Sequence, residues 1–426
     1  MRTLVIIAEG IEPTLLHEEI DHGRLPWFAD RAAAGAMRPL ACGPVPYEPS
    51  NLATAFTGLG PGHHGCFSYW ASRGGTGGDG PRVLDTADVM APRLWEMPQF
   101  ADVRMTVLNV QLTHPPRPMN GALISYPMAG TLRASHPPDL LHRLARDGHR
   151  WAHDVTVFYK GQPLEQFAAA AWQAARYQLD VALALADDCD LMIVNLTLPD
   201  RLSHFLWHEV EAPRDTADGR GHVRRAYHFV DDACRRLQEH CTGATLVFSE
   251  MGFGGLDGFV SLDDHLRRAG LQVLDDDGAI DERRSLARES VQGTHGVLLL
   301  AEASGAVEQV REALLSFRFA DGGPVLAEAR HRDAVYDGPY VSRAPDIVVR
   351  PADPRRPPLG DARWATHVRR TSQSGWHRET GFITVDGCDW QTSAPETVEL
   401  TAIAPTIAAL MGRELPAAVT AAPVAV

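Results

Sequence analysis

Asp200 and His204, within Leu198-Pro199-Asp200-Arg201-Leu202-Ser203-His204, are the pair in this chain best suited to holding a metal ion. At i and i+4 on one helical turn the two side chains face the same way. A carboxylate beside an imidazole suits tetrahedral zinc or octahedral manganese or iron. The pair needs a third ligand from elsewhere, and with 19 histidines available spacing alone leaves that choice open. Strand-like apolar runs also finish in carboxylates at Glu9, Glu250 and, less regularly, Asp386. In α/β sheets functional residues gather at the carboxyl ends of strands. No nucleophile-elbow, P-loop or dinucleotide-binding fingerprint is present, and Gly252-Phe253-Gly254-Gly255 reads as a tight turn.

The elements that must position these residues are legible as periodicity. Residues 3–8, 104–110, 122–125, 191–196, 244–249, 297–300, 346–349 and 381–385 read as strands, and 12–35, 51–57, 164–187, 222–239 and 401–411 as helices. Strands alternating with helices predict an α/β fold, a doubly wound, mostly parallel sheet sandwiched by helices. Residues 71–81 are Gly-rich and read as an exposed loop, and 351–374 are rich in Pro and Arg and read as a surface loop or lid border.

Composition narrows the function. The 426 residues carry a net charge of −14, which argues against nucleic acid or an acidic membrane surface as the main partner and favours a small-molecule substrate. The apolar start is too short for a signal peptide, and no run approaches the roughly 18–20 apolar residues of a membrane span. The six cysteines form no CxxC pair, as expected of free thiols in a reducing cytoplasm. Lys160 is the sole lysine among 40 basic residues; the arginine bias fits a GC-rich bacterial genome and disfavours Schiff-base chemistry.

A chain-long series of short motifs carries a family resemblance. In order these are the strand ending in Glu9-Gly10, then Gly23-Arg24-Leu25-Pro26, and Thr57-Gly58-Leu59-Gly60-Pro61-Gly62-His63-His64-Gly65. Asn109-Val110, Thr113-His114-Pro115-Pro116, Asn120-Gly121, Leu198-Pro199-Asp200 with His204, and Tyr227 to Asp231 follow. Last come Ser249 to Phe253, Ala344-Pro345-Asp346-Ile347-Val348-Val349, Trp376-His377-Arg378-Glu379-Thr380-Gly381-Phe382 and Ile403-Ala404-Pro405-Thr406. Their order and spacing resemble the nucleotide pyrophosphatase/type I phosphodiesterase branch of the alkaline phosphatase superfamily. The resemblance implies an alkaline phosphatase-like core over residues 1–255 and 373–426, with a cap inserted at 256–372. It also implies a divalent ion (Zn, Mn or Fe) held by Asp200, His204 and His377, and so supplies the distant histidine.

The other half of the implied site departs from the family pattern. Glu9 stands where an Asp is usual, and Glu48 occupies the place of the Thr or Ser nucleophile, nine residues before Thr57. Ser249-Glu250-Met251-Gly252 replaces Ser-Asp-His-Gly, and Met251 is a poor ligand for a hard ion. A covalent phospho-enzyme through residue 48 is not expected, since a carboxylate there repels a phosphate ester. Glu48 is expected to act as general base or extra ligand, and Glu9 and Glu250 to bind a second ion or share a proton. Asn51 is expected to contact substrate, Ser50 to cap a helix, and His63 and His64 to be structural. Metal-dependent hydrolysis of an ester-like bond is the leading expectation. The alternatives are non-hydrolytic chemistry in bacterial secondary metabolism (a lyase, isomerase or transferase) and a metal-binding pseudoenzyme.

Overall fold

Thr3–Ala8, a threonine followed by five apolar residues, forms β1, and every one is buried. Leu4, Ile6 and Ala8 join one hydrophobic cluster while Val5 and Ile7 join another, because successive side chains of a strand point to opposite faces. A strand buried on both faces is the signature of a sheet covered by helices on each side. In the computed structural model, residues 1–71, 82–128, 130–131, 133–212, 221–300, 305–360, 373–390 and 394–425 are described. Nearly all of the expected 71–81 loop and half of the 351–374 loop therefore lie outside the described residues.

The chain falls into two compact units, one of Met1–Leu59, Asp85–Gly255 and Ser372–Val426, the other of Gly60–Leu84 and Leu256–Thr371. In chain order the first unit contributes β1, β2 (Met37–Ala41), β3 (Met105–Leu108), β4 (Gly121–Ile124), β5 (Ser135–His136), β6 (Leu191–Leu196), β7 (Thr245–Ser249) and β8 (Gly252–Gly255). The second contributes β9 (Ala287–Glu289), β10 (Gly296–Leu299), β11 (Leu326–His331) and β12 (Ile347–Pro351). The first unit then resumes with β13 (Gly375–Arg378), β14 (Thr380–Asp386) and β15 (Val398–Glu399).

The main sheet has the order β15-β2-β14-β7-β1-β6-β3-β4-β5. β7, β1, β6, β3 and β4 run parallel, and β14 is antiparallel to both β7 and β2. Helices Pro13–Asp21, Pro26–Ala33, Leu164–Leu185 and His222–Gln238 cover the face of Leu4 and Ile6; Glu48–Thr57 and Ile403–Leu410 cover the other. This is the doubly wound α/β sandwich that the alternating pattern implies.

Three local readings change. The single helix expected over 12–35 is two helices, because Pro26 lacks an N–H and constrains its predecessor, and Gly23 turns the chain at φ 68°. Residues 252–255 are a strand, β8, paired antiparallel with β13, and not a tight turn. Asp386 ends β14, whose antiparallel course brings it opposite Thr245 at the start of β7. It lies at the far edge of the sheet from Glu250, paired with Arg31 at 2.9 Å.

The second unit is built on a four-stranded sheet, β11-β12-β10-β9, over a core that includes Leu262, Leu266, Val297, Val310, Leu314 and Ile347. Gly60–Leu84 belongs with it through bonds such as Tyr340 N to Gly62 O (2.8 Å) and Ser68 Oγ to Gln292 O (2.5 Å). Among the described residues no helix is long and apolar enough to cross a membrane.

Candidate metal centre

The parallel strands β1, β6 and β7 deliver Glu9, the Asp200 helix and Glu250 to one edge of the sheet. Asp200 lies in the first turn of helix Leu198–Leu206, and its N–H donates to Glu9 O at 3.1 Å. Close approach of the two segments depends on Gly10, which has φ 76°. A Cβ there would come within 2.7 Å of the Asp200 Cα.

His377 reaches the site on β13. Ser374 N donates to His204 O at 2.9 Å, and a Cβ on Gly375 would come within 2.4 Å of Ser203 O, so the strand lies hard against the helix. As a result His377 Nε2 stands 3.2 Å from His204 Nε2 and 3.3 Å from Asp200 Oδ1, and His204 Nε2 stands 3.5 Å from the same oxygen. Among the described residues, these three form the one group of three or more His, Cys, Asp or Glu whose ligand atoms all lie within 4.8 Å of one another.

Their surroundings hold the three groups ready to bind. His377 Nδ1–H donates to Pro46 O at 2.9 Å, which turns the Nε2 lone pair toward the other two. Trp376 stacks on His377, and Phe253 and Trp376 flank His204, so the imidazoles sit between apolar walls. Asp200 Oδ1 is buried and makes no hydrogen bond. Burial alone would raise the Asp200 pKa, but His204 and Arg201 outweigh it and hold the carboxyl well below the usual range. Burial pushes His204 down. It would do the same to His377, but Asp200 and Glu48 more than compensate and raise it.

The acidic half is built differently. Glu9 Oε2 accepts from Gln111 Nε2 (2.7 Å) and Asn195 Nδ2 (2.5 Å), while Oε1 accepts nothing. Glu250 is fully buried with both carboxylate oxygens lacking a hydrogen bond. Burial, then the neighbouring carboxylates Asp200 and Glu250, push Glu9 well above its ordinary pKa; burial, with Glu48 and Asp200, does the same to Glu250. Glu48 opens helix Glu48–Thr57, and its Oε2 lies 3.9 Å from His377 Nδ1 without a hydrogen bond. Its charge acts on Glu9, Glu250 and His377, so it stands within the same buried group.

Asn51 ties the helix that Glu48 opens to the end of β7, accepting from Gly43 N at 3.2 Å and donating to Glu250 O at 3.3 Å. Ser50 is not the helix cap; Tyr47 takes that position because the helix starts at Glu48, earlier than the Pro49-Ser50 pair suggests. His64 is fully buried, its Nδ1 accepts from Cys66 N at 3.3 Å, and burial with His63 nearby lowers its pKa to about 3. It is a neutral turn residue.

Sequence reasoning missed Arg201, Tyr126, Asp154, Gln111 and Asn195. Arg201 sits inside the Asp200/His204 motif, and its buried guanidinium bonds Asp200 Oδ2 (3.1 Å) and the Tyr126 hydroxyl (2.7 Å). Its place directly after Asp200 was the available signal. Asn195 and Gln111, at the ends of β6 and just beyond β3, carried the weaker signal of polar residues closing apolar strands.

Residues 3–378 match the family described as type I phosphodiesterase/nucleotide pyrophosphatase. Among solved structures, phosphonoacetate hydrolase from Sinorhizobium meliloti 1021, in complex with phosphonoformate, superposes with a TM-score of 0.64 at 15% identity, covering 95% of this chain and 94% of that one. Human ectonucleotide pyrophosphatase/phosphodiesterase 5 gives 0.55 at 13% identity, with coverage of 98% and 96%. The alkaline phosphatase PafA gives 0.57 at 10% identity, with coverage of 99% and 97%. No curated protein matches the sequence. At these identities the structural likeness establishes the alkaline phosphatase-like fold.

Proposed function

Because this chain belongs to the type I phosphodiesterase/nucleotide pyrophosphatase family, a family of metal-dependent hydrolases, we propose that it hydrolyses an ester-like bond in a small molecule using a divalent ion held by Asp200, His204 and His377. The observation that carries this reading is the convergence of one carboxylate oxygen and two imidazole nitrogens at 3.2, 3.3 and 3.5 Å, with the oxygen left unbonded. Ligands about 2.0 Å from a tetrahedral ion stand about 3.3 Å apart, whereas octahedral neighbours at about 2.1 Å stand about 3.0 Å apart. The triangle fits a shared divalent ion.

A bound ion of this kind polarises a substrate oxygen or lowers the pKa of its water. The protein's own groups supply the rest. Glu48, buried beside His377 with a free acceptor oxygen, takes a proton from the attacking water. Asn51 ties the Glu48 helix to the Glu250 strand end and holds the base in place. Trp376 and Phe253 exclude bulk water from the histidine side. With no hydroxyl at position 48, water attacks directly and no covalent enzyme intermediate forms.

The test is hydrolysis of bis-p-nitrophenyl phosphate by zinc-loaded protein, alongside elemental analysis. The reading expects at least one equivalent of metal and turnover that disappears in Glu48→Ala. Activity that appears only in Glu48→Thr would show that the wild type performs another reaction, and metal-free protein indifferent to added zinc would remove the enzyme reading.

A further inference from the structure

Among the described residues, Arg201 is a buried cation that faces Glu9, Asp154 and Asp200. Its guanidinium meets carboxylates from three separate segments. Nη1 lies 3.1 Å from Asp200 Oδ2, Nε lies 3.4 Å from Asp154 Oδ2, and Nη2 lies 3.7 Å from Glu9 Oε1. Nη2 also donates to the Tyr126 hydroxyl at 2.7 Å. The Arg201 side chain is 13% exposed, and those of Glu9, Asp154 and Asp200 are 0, 2 and 0% exposed. Carboxylates buried to this degree stay ionised only with a cation or donors beside them.

The three acids are braced independently of the arginine. Gln111 and Asn195 hold Glu9 by its other oxygen, and Gln178 Nε2 donates to Asp154 Oδ1 at 2.8 Å. The Asp200 backbone is fixed to Glu9 O. Glu9 Oε1 is fully buried and faces the guanidinium at a distance too long for a hydrogen bond, so it meets a positive charge without a directed bond. That is how an acid faces an ion, not how it forms a fork-to-fork arginine pair.

Asp200 serves both sides. Its Oδ1 faces the two imidazoles and its Oδ2 faces the guanidinium, so the arginine that faces Glu9 also pairs with and aims the carboxylate beside the imidazoles. A single positive charge at that place repels a neighbouring divalent ion half as strongly as a second divalent ion would. Lysine, with one ammonium, would not span three carboxylates.

We infer that the Arg201 guanidinium is a resident cation standing among Glu9, Asp154 and Asp200 in the place of a second metal ion, so that the protein takes one exchangeable metal per chain. The inference rests on the reading of Asp200, His204 and His377 as the ligands of that metal. The three carboxylates surround a planar group, and their oxygens do not all fall within 4.8 Å of one another. An ion that keeps part of its water shell bridges such a gap once the side chain is gone.

The experiment counts Mn2+ bound to metal-stripped, full-length protein by elemental analysis and electron paramagnetic resonance. Wild type is expected to bind one equivalent and Arg201→Ala two, with millimolar guanidinium displacing only the added equivalent. Arg201→Gln, which keeps a hydrogen-bonding end, serves the same purpose if the alanine variant does not fold. Two equivalents in wild type, or no gain in a folded Arg201 variant, overturns the inference. A wild type holding one ion with no gain in the variant leaves the ligand reading standing. A wild type holding none, with a variant that gains one, removes the ligand reading and keeps the resident cation.

Discussion

Glu19 and the carboxylates of the candidate metal centre are both buried in the first unit, yet the fold treats them in opposite ways. Glu19 receives Arg24 Nη1 at 3.0 and 3.2 Å, Arg224 Nη1 at 2.6 Å and His228 Nε2 at 3.1 Å, so each of its oxygens has partners. Burial would raise its pKa, but the hydrogen bonds from His228, Arg224 and Arg24 bring it down to about 2. At the centre, Asp200 Oδ1, Glu9 Oε1, Glu48 Oε2 and both Glu250 oxygens accept no hydrogen bond. This chain can satisfy a buried acid where nothing else must bind. Orphaned acceptors gathered at one strand edge, beside two imidazoles, therefore mark the place of a ligand.

The strongest break of that contrast is His377→Ala. Divalent-ion affinity should fall at least about 100-fold and ester hydrolysis should drop to background, as read by metal titration and turnover, with the fold retained. A variant that still binds its ion normally removes the ligand assignment.

Glu19→Gln should act on stability alone. A carboxyl whose pKa falls from 4.5 to about 2 on folding contributes about 3 kcal/mol above pH 4.5. Because the folded value is depressed, the contribution is present at neutral pH and disappears as pH falls through the window toward 2. Denaturant melts of wild type and variant should differ most above pH 5 and converge near pH 2, while metal content is unchanged.

Glu250→Gln should have the opposite sign. Its folded pKa is raised, so ionisation opposes folding, and the cost grows as pH rises from the unfolded pKa toward the folded one. The metal-free variant should be more stable than wild type by about 1 kcal/mol at pH 7, with hydrolysis impaired. Loss of stability there would mean that Glu250 is a satisfied structural acid like Glu19.

The smallest effect is expected from Asn51→Ala, which removes the bonds to Gly43 N and Glu250 O. About 1 kcal/mol of stability and a several-fold fall in turnover should follow, with metal stoichiometry unaltered.

Much of the architecture was legible locally. The run 191–196 is β6 to the residue, and Asp200 and His204 do share a helix face, because strand and helix periodicities act over a few neighbours. The two helices within 13–33 and the paired strands β8 and β13 were less legible. A proline with its preceding glycine broke the first pattern, and glycines disguised the second as a turn. Asp386 looked equivalent to Glu250 because direction along a sheet cannot be read from one strand.

By itself the amino-acid sequence determined which ligand types were available, the register of Asp200 with His204, and the absence of a hydroxyl at position 48. Tertiary structure decided what those residues meet. It put His377 Nε2 within 3.2 Å of His204 across 173 residues of chain, set Glu48 Oε2 3.9 Å from the Nδ1 of that imidazole, and placed Arg201 among three acids. The reason is range: periodicity and capping are settled within a turn or two, whereas close approach at Gly10 and Gly375 depends on packing between segments remote in sequence.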